Sequence, residues 1–459
     1  MPNGPIALDA LGPAGTYRAQ KQQIVTDVAG RPVAALSLVP PLYVSRAVAA
    51  LRGAAPLPPA ERAAAIADAT RAHAYGVVDG MTAADHHRLV SRTTGMPISA
   101  VRGVGEALAR SARDTTRNVA LARPSGAAAD WHDPATRGGH GVWTRRGTVF
   151  GVHAPGNTPG VHGLWLDALA LGYHVVVRPS RRDPFTPHRL VSALRASGFG
   201  SDRVVLLPTD HETADTVLRE ADLSIAYGDD AVMRKYAAMA TVLPQGPGRS
   251  KILLTADVDW REHLDVIVES ISANGGRECI NATAVFVEGP GQTAKLAHAL
   301  AERLRALPSL PPDDERAVLP VVPIDQGRAL QRHLVERARG TVPWLAAADV
   351  VHDLGDGSAV MRPALHELAR ADAEQAGVEL PFPCVWIAPW SREAGIGPLR
   401  DTLVLTAVTD DEHLVDALVA EPTISNVYVG GHPTCRSAPG LPHDSYLADH
   451  LMRTKTVIR

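Results

Sequence analysis

The stretch 148–228 alternates short apolar segments with helical patterns, and this alternation constrains the fold more than any other feature of the sequence. The apolar segments are rich in β-branched residues, which is typical of strands in a buried parallel sheet with helices on both faces. We predict strands at 148–154, 175–177, 204–207 and 223–228, with helices at 160–171, 187–197 and 211–220. Because ligands of such sheets bind at the carboxyl ends of the strands, the turns to inspect are 154–160, 178–186 and 228–231.

A second α/β region begins near residue 243, and helical patterns precede the first region. Its predicted strands are 251–254, 284–287, 385–388, 403–408 and 426–429, and its predicted helices are 260–272, 292–306, 326–338 and 411–420. Earlier helices are predicted at 45–51, 58–73, 82–94 and 98–114, after short extended pieces over 1–42. The tail 454–458 alternates polar and apolar residues, which predicts a strand able to pair within the chain or with another subunit.

Length and composition exclude several classes of protein. A chain of 459 residues with 45% apolar residues predicts two or three domains with a large core. The net charge of −3, with both signs interspersed, favours neither nucleic acid nor a membrane as partner. Three cysteines are too few for a disulfide framework, and no secretory signal is visible, so we expect a cytoplasmic protein. No metal-binding motif occurs, so we expect no metal.

A cysteine lies on a glycine-bearing turn between the predicted helix 260–272 and the predicted strand 284–287. The turn reads Asn274-Gly275-Gly276-Arg277-Glu278-Cys279. Glycines let the backbone adopt positive φ or approach a substrate closely. Polar neighbours such as Asn274, Arg277 and Thr283 would favour the thiolate, which is the nucleophilic form of Cys279. The alternative is a buried cysteine that acts as a small apolar residue.

The turn after the first predicted strand, Ala154-Pro155-Gly156-Asn157, offers hydrogen-bond donors. A strand–turn–helix junction presents free backbone N–H groups, and Asn157 adds a side-chain amide. If Asn157 faces Cys279, this amide and the cysteine N–H could hold an oxyanion, as acyl-transfer sites require. The alternative is that Asn157 is only a turn residue.

Together these stretches resemble the aldehyde dehydrogenase superfamily. The segments that carry the resemblance are Pro155-Gly156-Asn157-Thr158-Pro159, Val176-Val177-Arg178-Pro179-Ser180, Tyr227-Gly228-Asp229, Ala256-Asp257-Val258-Asp259-Trp260, Asn274-Gly275-Gly276-Arg277-Glu278-Cys279 and Glu379-Leu380-Pro381-Phe382-Pro383. The resemblance implies an α/β fold with a Rossmann-type cofactor domain, an α/β catalytic domain and a small oligomerisation arm. It also implies that Cys279 carries a thioacyl group, that Asn157 is the oxyanion donor, and that the protein is a homodimer or homotetramer.

The resemblance implies three segments of chain. We assign 1–242 to the cofactor domain, with 116–147 partly in the arm, then 243–432 to the catalytic domain and 433–459 to a C-terminal oligomerisation segment. The cofactor contacts that it implies are Ala154, Pro155, Gly156, Arg178, Ser180, Arg181, Gly228, Asp229, Glu379 and Phe382. Asp229 would cap a helix and place a negative charge near a phosphate.

Two departures from the family pattern refine the expectation. The segment 243–249, where hydrolytic members carry a water-activating glutamate, has no carboxylate; Glu278 is a candidate substitute. We therefore favour interconversion of an aldehyde with an acyl thioester of CoA or a carrier protein. The alternatives are a hydrolytic aldehyde dehydrogenase, a non-redox cysteine acyltransferase and a non-catalytic binding protein. Arg181 stands where NAD-preferring relatives have a glutamate, which favours NADP(H) over NAD(H) because a guanidinium attracts a 2′-phosphate. Arg181 could instead belong to a solvated turn.

Overall fold

The first large sheet, which we call sheet A, contains the strands of the alternating stretch. The computed structural model describes residues 4–459. Sheet A has seven strands in the spatial order Val242–Gln245, Leu223–Tyr227, Val149–His153, His174–Arg178, Val204–Leu206, Ala10–Gly12 and Gly15–Tyr17. The first five run parallel, and the last two pair antiparallel. The four predicted strands are confirmed to within two residues at each end.

Helices cover both faces of sheet A. The helices of this part of the chain are Pro41–Gly53, Pro59–Tyr75, Ala83–Thr94, Ile98–Ser111, Thr115–Ala120, Leu164–Ala170, Phe185–Leu194, His211–Glu220 and Asp230–Tyr236, of which Ala83–Thr94 packs with the strand Pro32–Ser37 instead. Successive side chains of a strand point to opposite faces. Phe150 and Val152 accordingly pack in one apolar cluster with Trp165, whereas Val149 packs in another with Val48. Both faces are therefore core, as the uninterrupted apolar strands indicated.

A second seven-stranded sheet, sheet B, follows sheet A along the chain. Its strands lie in the order Val342–Leu345, Ala364–Glu367, Cys384–Trp390, Ala282–Glu288, Ser250–Leu254, Thr402–Val408 and Ile424–Val429. Its helices are Leu264–Ser272, Gln292–Arg305, Ile324–Arg337 and Glu412–Ala420. All its strands run parallel except the first, which pairs antiparallel with its neighbour. The five predicted strands of this region are confirmed, and two further strands were not predicted.

Smaller sheets complete the fold. One contains Ile6–Leu8, Pro32–Ser37 and Gln22–Thr26, another contains Val321–Pro323, Ser358–Met361 and Val351–Asp353, and a hairpin contains Val77–Val78 and Met81–Thr82. A third small sheet, sheet C, contains Met452–Val457, His140–Arg145 and Ala127–Ala128. Sheet C joins sheet A through the short helix Leu447–Leu451, because Tyr173 Oη donates to the carbonyl of Leu451.

The predicted tail strand is confirmed, and its partner lies in the same chain. Met452–Val457 pairs antiparallel with His140–Arg145. It forms an edge of sheet C, so its other side has no strand partner within residues 4–459. Sheet A extends to Gln245, three residues past the boundary at 242, and the division into domains stays a prediction. In the described part of the chain, no helix combines the length and apolarity needed to cross a bilayer.

Candidate active site

The backbone of the cysteine turn depends on left-handed residues. The helix Leu264–Ser272 is followed by Asn274, Gly275 and Gly276 at φ of 52°, 81° and 63°. A side chain on Gly276 would place its Cβ 2.7 Å from the backbone nitrogen of Pro383, so only glycine fits there. The chain then enters the strand Ala282–Glu288 and leaves Cys279 half-buried on the turn. The predicted helix–turn–strand arrangement is confirmed.

The strand entry at 248–250 fixes the backbone of Cys279. A Cβ built on Gly248 would lie 1.9 Å from the carbonyl oxygen of Cys279, so the two backbones are in direct contact. Ser250 Oγ donates to the same carbonyl at 2.8 Å. Glu379 accepts a hydrogen bond from the backbone of Arg249 at 2.7 Å and so holds this entry in place. The thiol is therefore presented by a backbone with little freedom.

The side chain that meets the thiol is His443. Its Nε2 lies 3.6 Å from Cys279 Sγ, and its Nδ1 lies 3.8 Å from Asp444 Oδ1. Burial by itself would lower the pKa of His443, but Asp444 and Cys279 outweigh it and raise that pKa to about 10. Asp444 in turn accepts from Gln245 Nε2 at 2.8 Å. Burial opposes ionisation of Asp444, yet His443 and Gln245 keep its pKa below the usual value.

His443 and Asp444 were missed as site residues in the sequence. They lie 164 residues or more from Cys279, in a segment without regular structure between Ile424–Val429 and Leu447–Leu451. The segment is held because Asn426 Nδ2 donates to the carbonyls of Leu403 and His443. The one signal in the sequence is a neighbouring histidine and aspartate. A histidine next to an aspartate does not by itself indicate which other segment of the chain the pair contacts.

The polar neighbours expected to favour the thiolate donate to other groups, and their effect on the thiol stays a prediction. Asn274 Nδ2 donates to Glu278, and Arg277 donates to the carbonyl of Thr94. Thr283 Oγ1 donates to the carbonyl of Ser250. Each of these side chains makes a structural hydrogen bond, although the buried Nε of Arg277 has no partner among the described residues.

Asn157 and Glu278 lie where the turn after the first strand of sheet A meets the cysteine turn. Asn157 Nδ2 donates to the carbonyl of Arg277 at 3.1 Å. An amide nitrogen carries two hydrogens, so one N–H of Asn157 remains for a ligand. Glu278 is buried, and its two oxygens accept from Thr158 Oγ1 at 2.6 Å and Asn274 Nδ2 at 2.8 Å. Both carboxylate oxygens therefore join the two turns.

The other two thiols differ from Cys279 in their surroundings. Burial raises the pKa of Cys384 to about 12. Burial, followed by the charges of Glu269 and Glu278, raises the pKa of Cys435 to about 12. Neither thiol ionises near neutral pH, and no histidine contact to either is found in the described residues.

Eight of the ten expected cofactor residues lie at the carboxyl ends of strands of sheet A, and Glu379 and Phe382 lie beside sheet B. Ala154 donates to the carbonyl of Arg178 at 3.0 Å, next to Pro155. A Cβ on Gly156 would lie 2.4 Å from Ser180 Oγ, so these two turns are packed together. Arg178 is held by Thr209 Oγ1 at 3.1 Å, and burial followed by the charge of Arg181 lowers its pKa.

Two of the turns differ in what they offer a phosphate. Arg181 is exposed, and its side chain hydrogen-bonds to His211 at 2.9 Å. Asp229 caps the helix Asp230–Tyr236, as predicted, and accepts from the N–H groups of Ala231 and Val232 at 3.0 and 3.1 Å. Arg181 therefore leaves an exposed cation beside these turns, whereas Asp229 already occupies N–H groups that a phosphate at this helix start would need.

Three expected cofactor contacts have structural partners. A Cβ on Gly228 would lie 2.4 Å from Val232 Cγ2, so Gly228 lets the following helix pack closely. Glu379 binds the backbone of Arg249, and burial raises the pKa of Glu379 despite that bond. Phe382 lies in the apolar core of sheet B with 1% exposure. The contacts found for Gly228, Glu379 and Phe382 are thus contacts with other parts of the protein.

Comparison with known proteins agrees with this arrangement. A sequence model described as the Aldehyde dehydrogenase family matches residues 43–396, and the chain belongs to that family. It is similar to the 2-hydroxymuconic semialdehyde dehydrogenase of Pseudomonas putida, with 26% identity over 361 residues, 72% of this chain and 71% of that enzyme. The enzyme of the same name from Pseudomonas sp. strain CF600 is 25% identical over 56% of this chain, which spans only about half, 55%, of that relative.

The fold is also that of solved aldehyde dehydrogenases. The crystal structure of the aldehyde dehydrogenase KauB from Pseudomonas aeruginosa superposes with a TM-score of 0.83 at 18% identity, covering 98% of this chain and 96% of that one. An NAD-dependent aldehyde dehydrogenase from Sinorhizobium meliloti gives a TM-score of 0.83 at 18% identity, covering 99% and 94%. The predicted fold class is therefore confirmed.

Proposed function

We propose that this chain oxidises a small aldehyde to a carboxylic acid with NAD(P)⁺, through an acyl group carried on Cys279. The observation that supports this most directly is the contact of 3.6 Å between the thiol and His443, a base. The two Pseudomonas relatives, which are named as semialdehyde dehydrogenases, support an aldehyde as substrate. This choice replaces the thioester reaction that the sequence favoured, because the site contains a proton acceptor that the sequence did not reveal.

The chain's own residues supply most of the chemistry. Cys279 adds to the carbonyl carbon of the aldehyde, and the free N–H of Asn157 stabilises the oxygen as it gains negative charge. The turns at 154–157 and 178–182 would hold a nicotinamide dinucleotide, which would supply the hydride acceptor. Cys279 then holds the acyl group until water removes it and restores the thiol.

A second candidate is transfer of the acyl group to a thiol such as CoA or a carrier protein, or the reverse reduction of that thioester. The observation that favours it is Gln245, which lies in the segment where relatives carry a glutamate and donates to Asp444. An amide does not take a proton from water. A thiol with a pKa near 8.5 needs less help than water does.

One experiment separates these candidates. Purified protein is incubated with a panel of aldehydes and semialdehydes, with NAD⁺ or NADP⁺, and with or without CoA. Products are identified by mass spectrometry. We expect the acid to form without CoA, and Cys279→Ala to abolish turnover while Cys435→Ala, the matched control, retains it. Product only as an acyl thioester would favour the second candidate, and no reduced cofactor with any aldehyde would refute both.

We further propose that NADP⁺ is preferred. Arg181 is exposed at the end of a strand of sheet A, and the segment 178–182 contains no carboxylate to repel a 2′-phosphate. A charge-assisted hydrogen bond contributes about 1.5–3 kcal/mol. Arg181→Ala should therefore raise KM for NADP⁺ roughly tenfold or more and leave KM for NAD⁺ unchanged. Arg219→Ala, which removes an exposed arginine from a helix of the same layer, is the control. A clear preference of the unmodified protein for NAD⁺ would contradict this assignment.

A further inference from the structure

Building on the proposed function, we propose that His443 is the catalytic base of this site, with Asp444 and Gln245 as positioning residues. This trio takes the place of the glutamate that other members of the family use. It serves twice: first to take the proton of Cys279, and then to take a proton from the water that releases the acid.

The contacts form one chain from sheet A to the thiol. Gln245, the last residue of the edge strand Val242–Gln245, donates to Asp444 Oδ2 at 2.8 Å. Asp444 Oδ1 lies 3.8 Å from His443 Nδ1, within ion-pair distance but beyond a hydrogen bond, and His443 Nε2 lies 3.6 Å from Cys279 Sγ. Gln245 therefore lies in the segment where relatives carry the glutamate. It contributes to the same site indirectly, because it orients the carboxylate of Asp444.

The histidine is held by its backbone and surrounded by few ionisable groups. Asn426 fixes the carbonyl of His443 to sheet B. The titratable groups that face His443 are Cys279 from the cysteine turn and Asp444 from its own segment. Tyr227 lies at the end of a strand of sheet A. Burial, followed by the charges of Cys279 and Asp444, raises the pKa of Tyr227, so its hydroxyl stays neutral. The negative groups around His443 thus favour the imidazolium.

In the first half of the reaction, the Sγ–H bond breaks and its proton passes to Nε2 of His443. This leaves a thiolate and an imidazolium side by side, and each stabilises the other. The thiolate forms the S–C bond with the aldehyde carbon, and the carbonyl electron pair moves to oxygen. A bound nicotinamide would accept the hydride from that carbon, and Cys279 would then carry a thioester.

In the second half, the environment of His443 changes because the sulfur no longer carries a charge. Loss of the neighbouring thiolate removes one of the groups that raise the pKa of His443, so its proton is released more readily. Neutral Nε2 then takes a proton from a water whose oxygen attacks the thioester carbon. The C–S bond breaks, the acid leaves, and sulfur departs as the thiolate beside the restored imidazolium.

The first test requires neither aldehyde nor cofactor. The rate of alkylation of Cys279 by iodoacetamide is measured from acid to alkaline pH by intact mass spectrometry, in a Cys435→Ala background. The pairing predicts that the unmodified site reacts faster at neutral pH than a site without the imidazole. His443→Gln should therefore slow the reaction and shift the profile upward, because the thiol then has no neighbouring proton acceptor. Asp444→Asn should shift it less. His432→Gln, in the same segment and bonded to Arg436 instead, is the matched control.

The second test follows NAD(P)H formation in the first turnover. At a pH of about 9, where free thiols ionise unaided, His443→Gln should still give a burst of one NAD(P)H per site. The steady rate that follows should be roughly 10²- to 10⁴-fold below that of the unmodified protein, the usual contribution of a general base. An accumulated acyl adduct on Cys279, seen by mass spectrometry, would show that deacylation is the step that fails.

The outcomes are distinct. An unshifted alkylation profile in His443→Gln, or a steady rate within a few-fold of the unmodified protein, overturns the inference. A shifted profile in a protein that oxidises no aldehyde supports the pairing and refutes the proposed function. Thermal unfolding shows whether each variant is folded. If His443→Gln does not fold, Asp444→Asn decides between the two results, because an unshifted profile in that variant counts against the chain of contacts.

Discussion

At the scale of single residues, the site depends on close contacts between backbones. Gly248 lies so near Cys279 that a methyl group would fall 1.9 Å from the carbonyl oxygen and 2.6 Å from the carbonyl carbon. Neither atom belongs to a flexible side chain, so the backbone itself would have to move. A displacement of about 1 Å in a catalytic group costs on the order of 100-fold in rate.

Gly248→Ala should therefore lower kcat at least about tenfold and destabilise the protein by about 1–3 kcal/mol, as overpacking does. The control is Gly246→Ala, whose added carbon would meet the Met233 side chain at 2.8 Å. That side chain can rotate away, so the cost should be smaller. Steady-state kinetics and denaturant unfolding measure both effects. Equal losses in the two variants would contradict the role given to the backbone contact.

Glu278 gives a second prediction at this scale. Its two oxygens already accept from Thr158 and Asn274, so Glu278→Gln should weaken the contact between the two turns. We expect a loss of about 1–2 kcal/mol in the free energy of unfolding, with kcat changed by no more than about threefold. A general base would contribute roughly 10²- to 10⁴-fold, so a fall of that size would show that Glu278, and not His443, activates water.

The residues that sequence reasoning found, and those that it missed, differ in where their partners lie along the chain. Cys279 and Asn157 were found because each lies in a recognisable segment at the end of a strand or helix. Asn157 bonds to Arg277, two residues from the cysteine. His443 was missed because its contact spans 164 residues and depends on the path of an irregular segment. Such a path is set by tertiary contacts like that of Asn426 and not by local pattern.

At the scale of elements, apolar periodicity predicted the buried strands well and the short outer ones poorly. The first four residues of Val149–His153 are buried and carry no polar side chain. Val342–Leu345 and Val351–Asp353 are short and half-exposed and include a proline or an aspartate, so they resemble loops. The predicted helix 260–272 begins with a separate 3₁₀ turn, Trp260–His263, since Asp259 caps that turn.

The helix Asp230–Tyr236 carries a prediction of its own. Asp229 caps it, and this carboxylate would lie near a bound phosphate. Asp229→Ser retains a capping oxygen and removes the charge. KM for NAD(P)⁺ should therefore fall a few-fold with little change in stability. The gain should disappear in about 0.5 M salt, where charges more than a few ångströms apart are screened. An unchanged KM at low salt would mean that the phosphates bind away from this helix.

At the scale of the whole molecule, sheet C presents an unpaired edge, and we propose that this edge joins a second copy of the chain. Met452–Val457 pairs on one side only, and four of its six side chains are exposed. A free edge of this length is a template for another strand. The charged side chains Arg453 and Lys455 are the counterargument, because proteins also use such charges to keep an edge unpaired.

Deletion of 452–459 distinguishes these two roles of the edge. If the strand joins subunits, light scattering after size exclusion should show a dimer or tetramer for the full chain and a monomer for the truncated one. Deletion of 458–459 alone, which leaves the strand intact, is the control. Both variants should keep most of their thermal stability, since Met452 is the one deleted residue that packs against the apolar core of sheet A and none belongs to the core of sheet B. A monomeric full chain would mean that Arg453 and Lys455 protect the edge, and each subunit would then have to assemble its site alone. The contacts between Gln245, Asp444, His443 and Cys279, all within one chain, already permit that.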